Sequence, residues 1–282
     1  MTVSTDRKRA IVLGGGGVTG IAWEIGVLAG LQEAGVDLRA DAVFGTSAGS
    51  FAGTALAGGA DFQVLHAAQH RPAADEPATR ASRRLQAAWA WAFIRGRGRA
   101  ERVGAGFAAV ARRFPAQVSA EQRRRTVQAR LFTTQWPATL HVTATDAETG
   151  ALHVFDRSSG YALVDVVSAS GAVPGISPMV EFGGRTWIDA GMVSAANARI
   201  ADGYARVLVI APMPKGHAGI PSAAQDVEIM RRSARVELIV PDQPSIDAIG
   251  PNPYDPDRRG PVADAGRQQG LRAAARINDL WG

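Results

Sequence analysis

The chain has 282 residues, 46% of them hydrophobic and 20% charged, with a formal net charge of +5. That composition describes a globular protein able to bury one large core, and one domain over 1–282 is expected. Cysteine is absent, which excludes disulfides, thiolate metal sites and cysteine nucleophiles, so any chemistry must come from hydroxyl, carboxylate or imidazole groups. Neither end carries a secretory or lipidation signature, so a cytoplasmic location, with peripheral membrane contact, is the expectation.

In chain order, Ala10-Ile11-Val12-Leu13 is a short apolar run ending in glycines, the pattern of a buried parallel strand opening into a loop. Ile21, Ile25, Leu28 and Leu31 then repeat at helical spacing up to Gly35, a usual C-terminal cap. Ala42-Val43-Phe44 predicts a second strand, and Ser47 to Ala57 a second helix. The uncharged stretch from Ala42 to Ala60 is as long as a membrane span but holds five Gly and four Ser or Thr, which favours strand, turn and buried helix.

Residues 71–135 change character and are read as an inserted helical cap punctuated by Pro72, Pro77, Gly96, Gly98 and Pro115. Residues 80–130 hold 13 Arg against two acids, a local excess of +11 that leaves −6 for the rest of the chain. The stretch from Arg83 to Ile94 combines arginines with Trp89, Trp91 and Phe93. It suits either an interfacial helix on an anionic membrane or a helix packed on the body with solvated arginines. Arg123-Arg124-Arg125 is an electrostatic patch without any nucleic-acid recognition motif, so no specific nucleic acid is expected.

Strand patterns return at His141–Thr145 and Leu152–Phe155, as a hairpin or strand pair, and again at Thr186–Ile188, Val207–Ile210 and Val236–Val240. Helical segments are expected near 195–203 and 222–234, an irregular Pro-rich connection over 241–261, and a last helix over 262–281. Alternation of strands and helices predicts an α/β fold with a mostly parallel sheet.

Two glycine motifs lie close together. Gly45-Thr46-Ser47-Ala48-Gly49 has the form of a nucleophile elbow, in which the glycines let a strand bend into a helix and lift the serine hydroxyl to the helix N-terminus. Gly14 to Gly17 opens the preceding helix with unobstructed backbone N–H groups, as an oxyanion or phosphate site requires. A nucleotide cradle is disfavoured, because no Gly-Lys-Ser/Thr follows and the acid Asp41 precedes a strand instead of ending one. For the base there are two candidates. His217 follows the strand Val207–Ile210 and would complete a Ser-acid-His order, whereas Asp189 ends the strand Thr186–Ile188 and is followed by Ala190-Gly191. His66, His70, His141 and His153 have no partner motif and are read as surface or core residues.

Five ordered motifs together resemble the patatin-like phospholipase family. They are Gly14-Gly15-Gly16-Gly17-Val18-Thr19-Gly20, Gly45-Thr46-Ser47-Ala48-Gly49, Ala144-Thr145-Asp146 with Thr149-Gly150, Ser168-Ala169-Ser170-Gly171-Ala172-Val173-Pro174, and Gly184 followed by Asp189-Ala190-Gly191. The resemblance implies a three-layer α/β/α fold and a Ser-Asp dyad that needs no metal or cofactor. Ser47 would be the nucleophile, Asp189 the base, and the N–H groups of Gly15, Gly16, Gly17 and Val18 the oxyanion hole, with Gly45, Gly49 and Gly191 shaping the turns. The implied substrate is a lipid or other acyl ester. The chain departs from the family at Thr19, where Arg or Lys is usual, and at Ala190, where the acid is usually followed by Gly. A Ser-His esterase using His217, and a lipid-binding protein with little turnover, are the alternative readings.

Overall fold

The computed structural model describes residues 8–72 and 79–282; Pro77, one of the expected breaks in the insertion, lies outside them. Among the described residues eight strands, numbered in chain order, form one sheet in the order β5-β6-β3-β2-β1-β7-β8, with β4 paired to β3. The central five, β3 (Leu140–Asp146), β2 (Ala42–Gly45), β1 (Arg9–Leu13), β7 (Arg206–Ile210) and β8 (Arg235–Ile239), run parallel. Antiparallel pairing adds β4 (Leu152–Phe155), β6 (Arg185–Ile188) and β5 (Val180–Phe182).

Alternation along the parallel strands divides the core into two layers, as a sheet covered on both faces demands. Ile11, Leu13, Leu208 and Ile210 face a large cluster that includes Trp23, Leu28 and Leu31. Ala10, Val12, Val207 and Val209 face a second cluster that includes Ala198, Val227 and Met230. The expected three layers are therefore present.

On the first face, α1 (Gly17–Glu33) packs along the C-terminal helix α10 (Arg259–Trp281). Their axes approach closely because glycines interlock. A Cβ on Gly30 would lie 2.1 Å from Arg267 O, and one on Gly270 2.2 Å from Val27 O. Glu24 of α1 is 0% exposed, and neither carboxyl oxygen has a hydrogen-bond partner of good geometry among the described residues. Burial pushes its pKa well above the ordinary carboxylate value.

The chain continues through α2 (Ala48–Ala57) and α3 (Phe62–Gln69) into three helices, α4 (Arg83–Gly96), α5 (Ala100–Arg113) and α6 (Ala120–Arg130), which fill most of the predicted insertion. Helix α7 (Leu163–Ser170) precedes the antiparallel edge, α8 (Ala223–Met230) precedes β8, and α9 (Gln243–Ile249) follows it.

Several expectations change. α1 begins four residues before Ile21, because the glycine loop is itself wound into the first turn. The helix expected near 195–203 shrinks to a 3-10 turn, Ala198–Ala201. The connection 241–261, expected to be irregular, holds α9, a 3-10 turn at Pro256–Arg258 and the start of α10 at Arg259. Pro244 does not oppose α9, since it stands at the helix start where its missing N–H is not needed.

Candidate active site

The register of β1 and β2 brings the two glycine motifs together. Leu13 pairs with Gly45 at the C-terminal edge of the sheet, so the loops that follow leave side by side. Here the strand order diverges, β2 and β3 lying to one side of β1 and β7 and β8 to the other. Parallel α/β sheets bind ligands at this kind of divergence.

Ser47 caps α2 at φ 51° and ψ −113°, a conformation disfavoured for a residue with a Cβ. The elbow forms because its glycines remove what would obstruct it. A Cβ on Gly45 would lie 2.6 Å from Gly49 O, and one on Gly49 only 2.1 Å from Leu13 O. Ser47 N–H donates to Ser170 Oγ at 2.8 Å, which ties the elbow to the end of α7. Ser47 is 7% exposed.

Asp189 reaches the same edge although its strand is antiparallel. β6 overlaps only Thr145 and Asp146 at the end of β3, so its own C-terminus stops where the parallel strands stop. Asp189 N–H donates to Ala172 O at 3.1 Å. The carboxylate is 3% exposed and accepts from both sides: Ser47 Oγ–H donates to Oδ2 at 2.7 Å, and Gly191 N–H to Oδ1 at 2.7 Å. Burial pushes the Asp189 pKa up to about 7, opposed by the bonds from Ser47 and Gly191 and by the positive charge of Arg123. Ala190, in place of glycine, needs no left-handed backbone; its φ is not positive.

The glycine loop is partly engaged. Gly15 N–H donates to Ala195 O at 2.7 Å and Thr19 N–H to Pro253 O at 3.1 Å. The N–H groups of Gly16, Gly17 and Val18, and that of Ala48 after the serine, have no acceptor among the described residues. Gly15 thus contributes shape rather than a free donor, a correction to its expected place in the oxyanion set. Thr19 is buried and its hydroxyl also points to Pro253 O at 3.3 Å. The position where the family carries a cation here fastens the loop before α10.

Ser47 stands between two cavities. The larger, about 550 Å³, is lined by Ser47, Asp189 and mainly apolar residues including Trp89, Phe93, Met192 and Ile246. The smaller, about 80 Å³, is lined by Ser47, Gly17, Val18, Ala48 and Arg123. Tyr254 borders both; burial and the nearby Asp189 charge push its phenol pKa up, so it stays neutral. Arg123 comes from α6 in the insertion and donates to Gly171 O at 3.1 Å. His217 also lines the larger cavity, its ring tilted 38° against Phe93 at 4.9 Å between centroids, and makes no hydrogen bond to Ser47 or Asp189.

Other motif residues serve structure. Asp146 accepts from Glu148 N–H and Thr149 N–H and pairs with Arg185, which closes the β3–β4 turn. The serine of the elbow, the acid and the glycine loop were visible in the sequence. Ser170 belongs to a motif that gives it no role, Arg123 is visible only as part of the electrostatic patch Arg123-Arg124-Arg125, and Tyr254 has no local signal.

A family model described as patatin-like phospholipase matches residues 11–202. No curated protein sequence matches the chain. Among solved structures, VipD from Legionella pneumophila is 12% identical with a TM-score of 0.48, covering 96% of this chain and 67% of its own. The type III effector protein ExoU is 15% identical with a TM-score of 0.42, covering 96% of this chain and 54% of its own. The chain therefore spans about two thirds of the first and about half of the second. The family match takes in more than half of the chain, including both glycine motifs and Asp189, and the chain belongs to the patatin-like phospholipase family.

Proposed function

We propose that the protein is a serine acyl hydrolase acting on acyl esters of lipids through a Ser47-Asp189 dyad. The observation that carries this reading is the 2.7 Å hydrogen bond from Ser47 Oγ to Asp189 Oδ2, made by a serine held at a positive φ beside free N–H groups. Asp189 takes the hydroxyl proton as Ser47 Oγ attacks the ester carbonyl carbon. The N–H groups of Gly16, Gly17 and Val18, at the N-terminus of α1, receive the developing oxyanion. Protonated Asp189 then passes its proton to the leaving alkoxide oxygen, which leaves an acyl-enzyme on Ser47. Water, deprotonated by Asp189, attacks that ester, and Asp189 returns the proton to the departing Ser47 Oγ as the carboxylic acid is released.

The apolar wall of the larger cavity supports an acyl chain as the group bound there. α4 presents two faces: Leu85 and Ala92 are buried against the body, while Trp91 and Ile94 are each 57% exposed among arginines. This exposed face supports contact with an anionic membrane.

Hydrolysis measured over a panel of acyl esters tests both parts. Ser47→Ala and Asp189→Asn should each lower kcat/KM by about a thousandfold or more, as loss of a catalytic unit does, while His217→Ala keeps activity within about tenfold. A joint Trp91→Ala and Ile94→Ala variant should lose turnover on anionic vesicles and retain it on a soluble ester. Full activity in Asp189→Asn with loss in His217→Ala would replace the dyad by a Ser-His pair.

A further inference from the structure

Two histidines that have no partner in the sequence meet a carboxylate in the fold. His66 on α3 and His70, the residue that caps the C-terminus of α3, stand one turn apart, a spacing that sets both rings on one side of the helix. Asp264, near the start of α10, reaches between them. His66 Nε2 and His70 Nε2 each lie 3.1 Å from Asp264 Oδ1, and the three ligand atoms fall within 4.8 Å of one another. Gly260, one turn before Asp264, makes room for this group, since a Cβ there would lie 2.9 Å from His70 Nδ1.

The group is incompletely satisfied. His70 Nε2 makes a hydrogen bond to Asp264 Oδ1. His66 Nε2 is at the same distance, is shielded from solvent, and has no partner of hydrogen-bonding geometry. A buried imidazole nitrogen left unpaired is costly, and a cation shared by the three groups would satisfy it. For bonds of about 2.1 Å at tetrahedral angles, neighbouring ligand atoms are roughly 3–3.5 Å apart, and both nitrogen–oxygen separations already meet that spacing.

We propose that His66, His70 and Asp264 bind a divalent transition-metal ion. Two imidazole nitrogens and one carboxylate oxygen suit Zn²⁺ better than Mg²⁺ or Ca²⁺, which take oxygen ligands. The Asp264 and His70 side chains are about half exposed, which leaves the outer side of the ion to water. None of the three lines the cavities beside Ser47. The ion therefore clamps the end of α3 to α10 and takes no part in ester chemistry.

The test uses the full chain stripped by a chelator, titrated with Zn²⁺ by calorimetry and with Co²⁺ by visible absorption. One equivalent should bind saturably, with Co²⁺ ligand-field bands and a Tm that rises to a plateau with Zn²⁺. His66→Gln and Asp264→Asn should each weaken binding by at least about tenfold, the loss that even outer-sphere changes cause. Circular dichroism reports whether each variant folds; if neither does, the spectrum of the wild-type chain decides. A Co²⁺ spectrum indistinguishable from the free ion, or Zn²⁺ binding unchanged in both variants, would overturn the site.

Discussion

At the scale of single residues, the proposed chemistry rests on one buried carboxyl group. A base must be ionised to accept a proton, and Asp189 is held at about 7 by burial, well above the 3.8 of an unperturbed Asp. Below that value the group is protonated, so kcat/KM should fall about tenfold per pH unit on the acid side and level off above it. A pH–rate profile on a soluble ester checks this; a plateau extending down to pH 5 would contradict it. The same shift makes the folded state lose stability as pH rises from 3.8 to about 7, the range over which the unfolded carboxyl ionises while the folded one stays protonated, and the loss levels off above that. Ser47 and Asp189 were legible because each lies in a short motif whose glycines leave their own trace. Ser170 and Arg123 were not, because their partners stand far away in sequence and meet them only when α7 and α6 dock at the sheet edge.

At the scale of elements, the insertion contributes to the site through α6. Thr19 occupies the position of the family's usual cation and holds Pro253 instead, whereas Arg123 lines the smaller cavity beside Ser47 and its positive charge lowers the Asp189 pKa. Arg123→Gln should therefore move the acid limb of the pH–rate profile to higher pH, and high salt should move the wild-type limb the same way. A limb that stays in place in Arg123→Gln would separate Arg123 from the dyad. Strongly patterned elements were legible, such as β1, β7 and the α10 helix. Others were not, each for a physical reason. α7 is only eight residues long and buried on nearly every side, β5 has three residues, and α9 carries in its first turn Pro244, which reads as a break.

At the scale of the whole molecule, the order of motifs along the chain becomes proximity at one sheet edge. β1 and β2 end in register, β6 overlaps β3 by two residues, and the result is a serine, an acid and a row of free N–H groups around one point. The fold class was readable because strand and helix patterns alternate. Which loops meet was not, because strand order and the short antiparallel overlap of β6 are set by packing between remote segments. Among the described residues no helix is long and apolar enough to cross a membrane.

The central claim, that Ser47 is a nucleophile activated by Asp189, is tested most directly by labelling with a serine-directed fluorophosphonate followed by mass spectrometry of the digested chain. The account predicts one adduct on Ser47 at pH 8, a rate of labelling that falls as pH drops below about 7, and near-complete loss in Asp189→Asn. Labelling of a different serine, or a rate unchanged by Asp189→Asn, would contradict it.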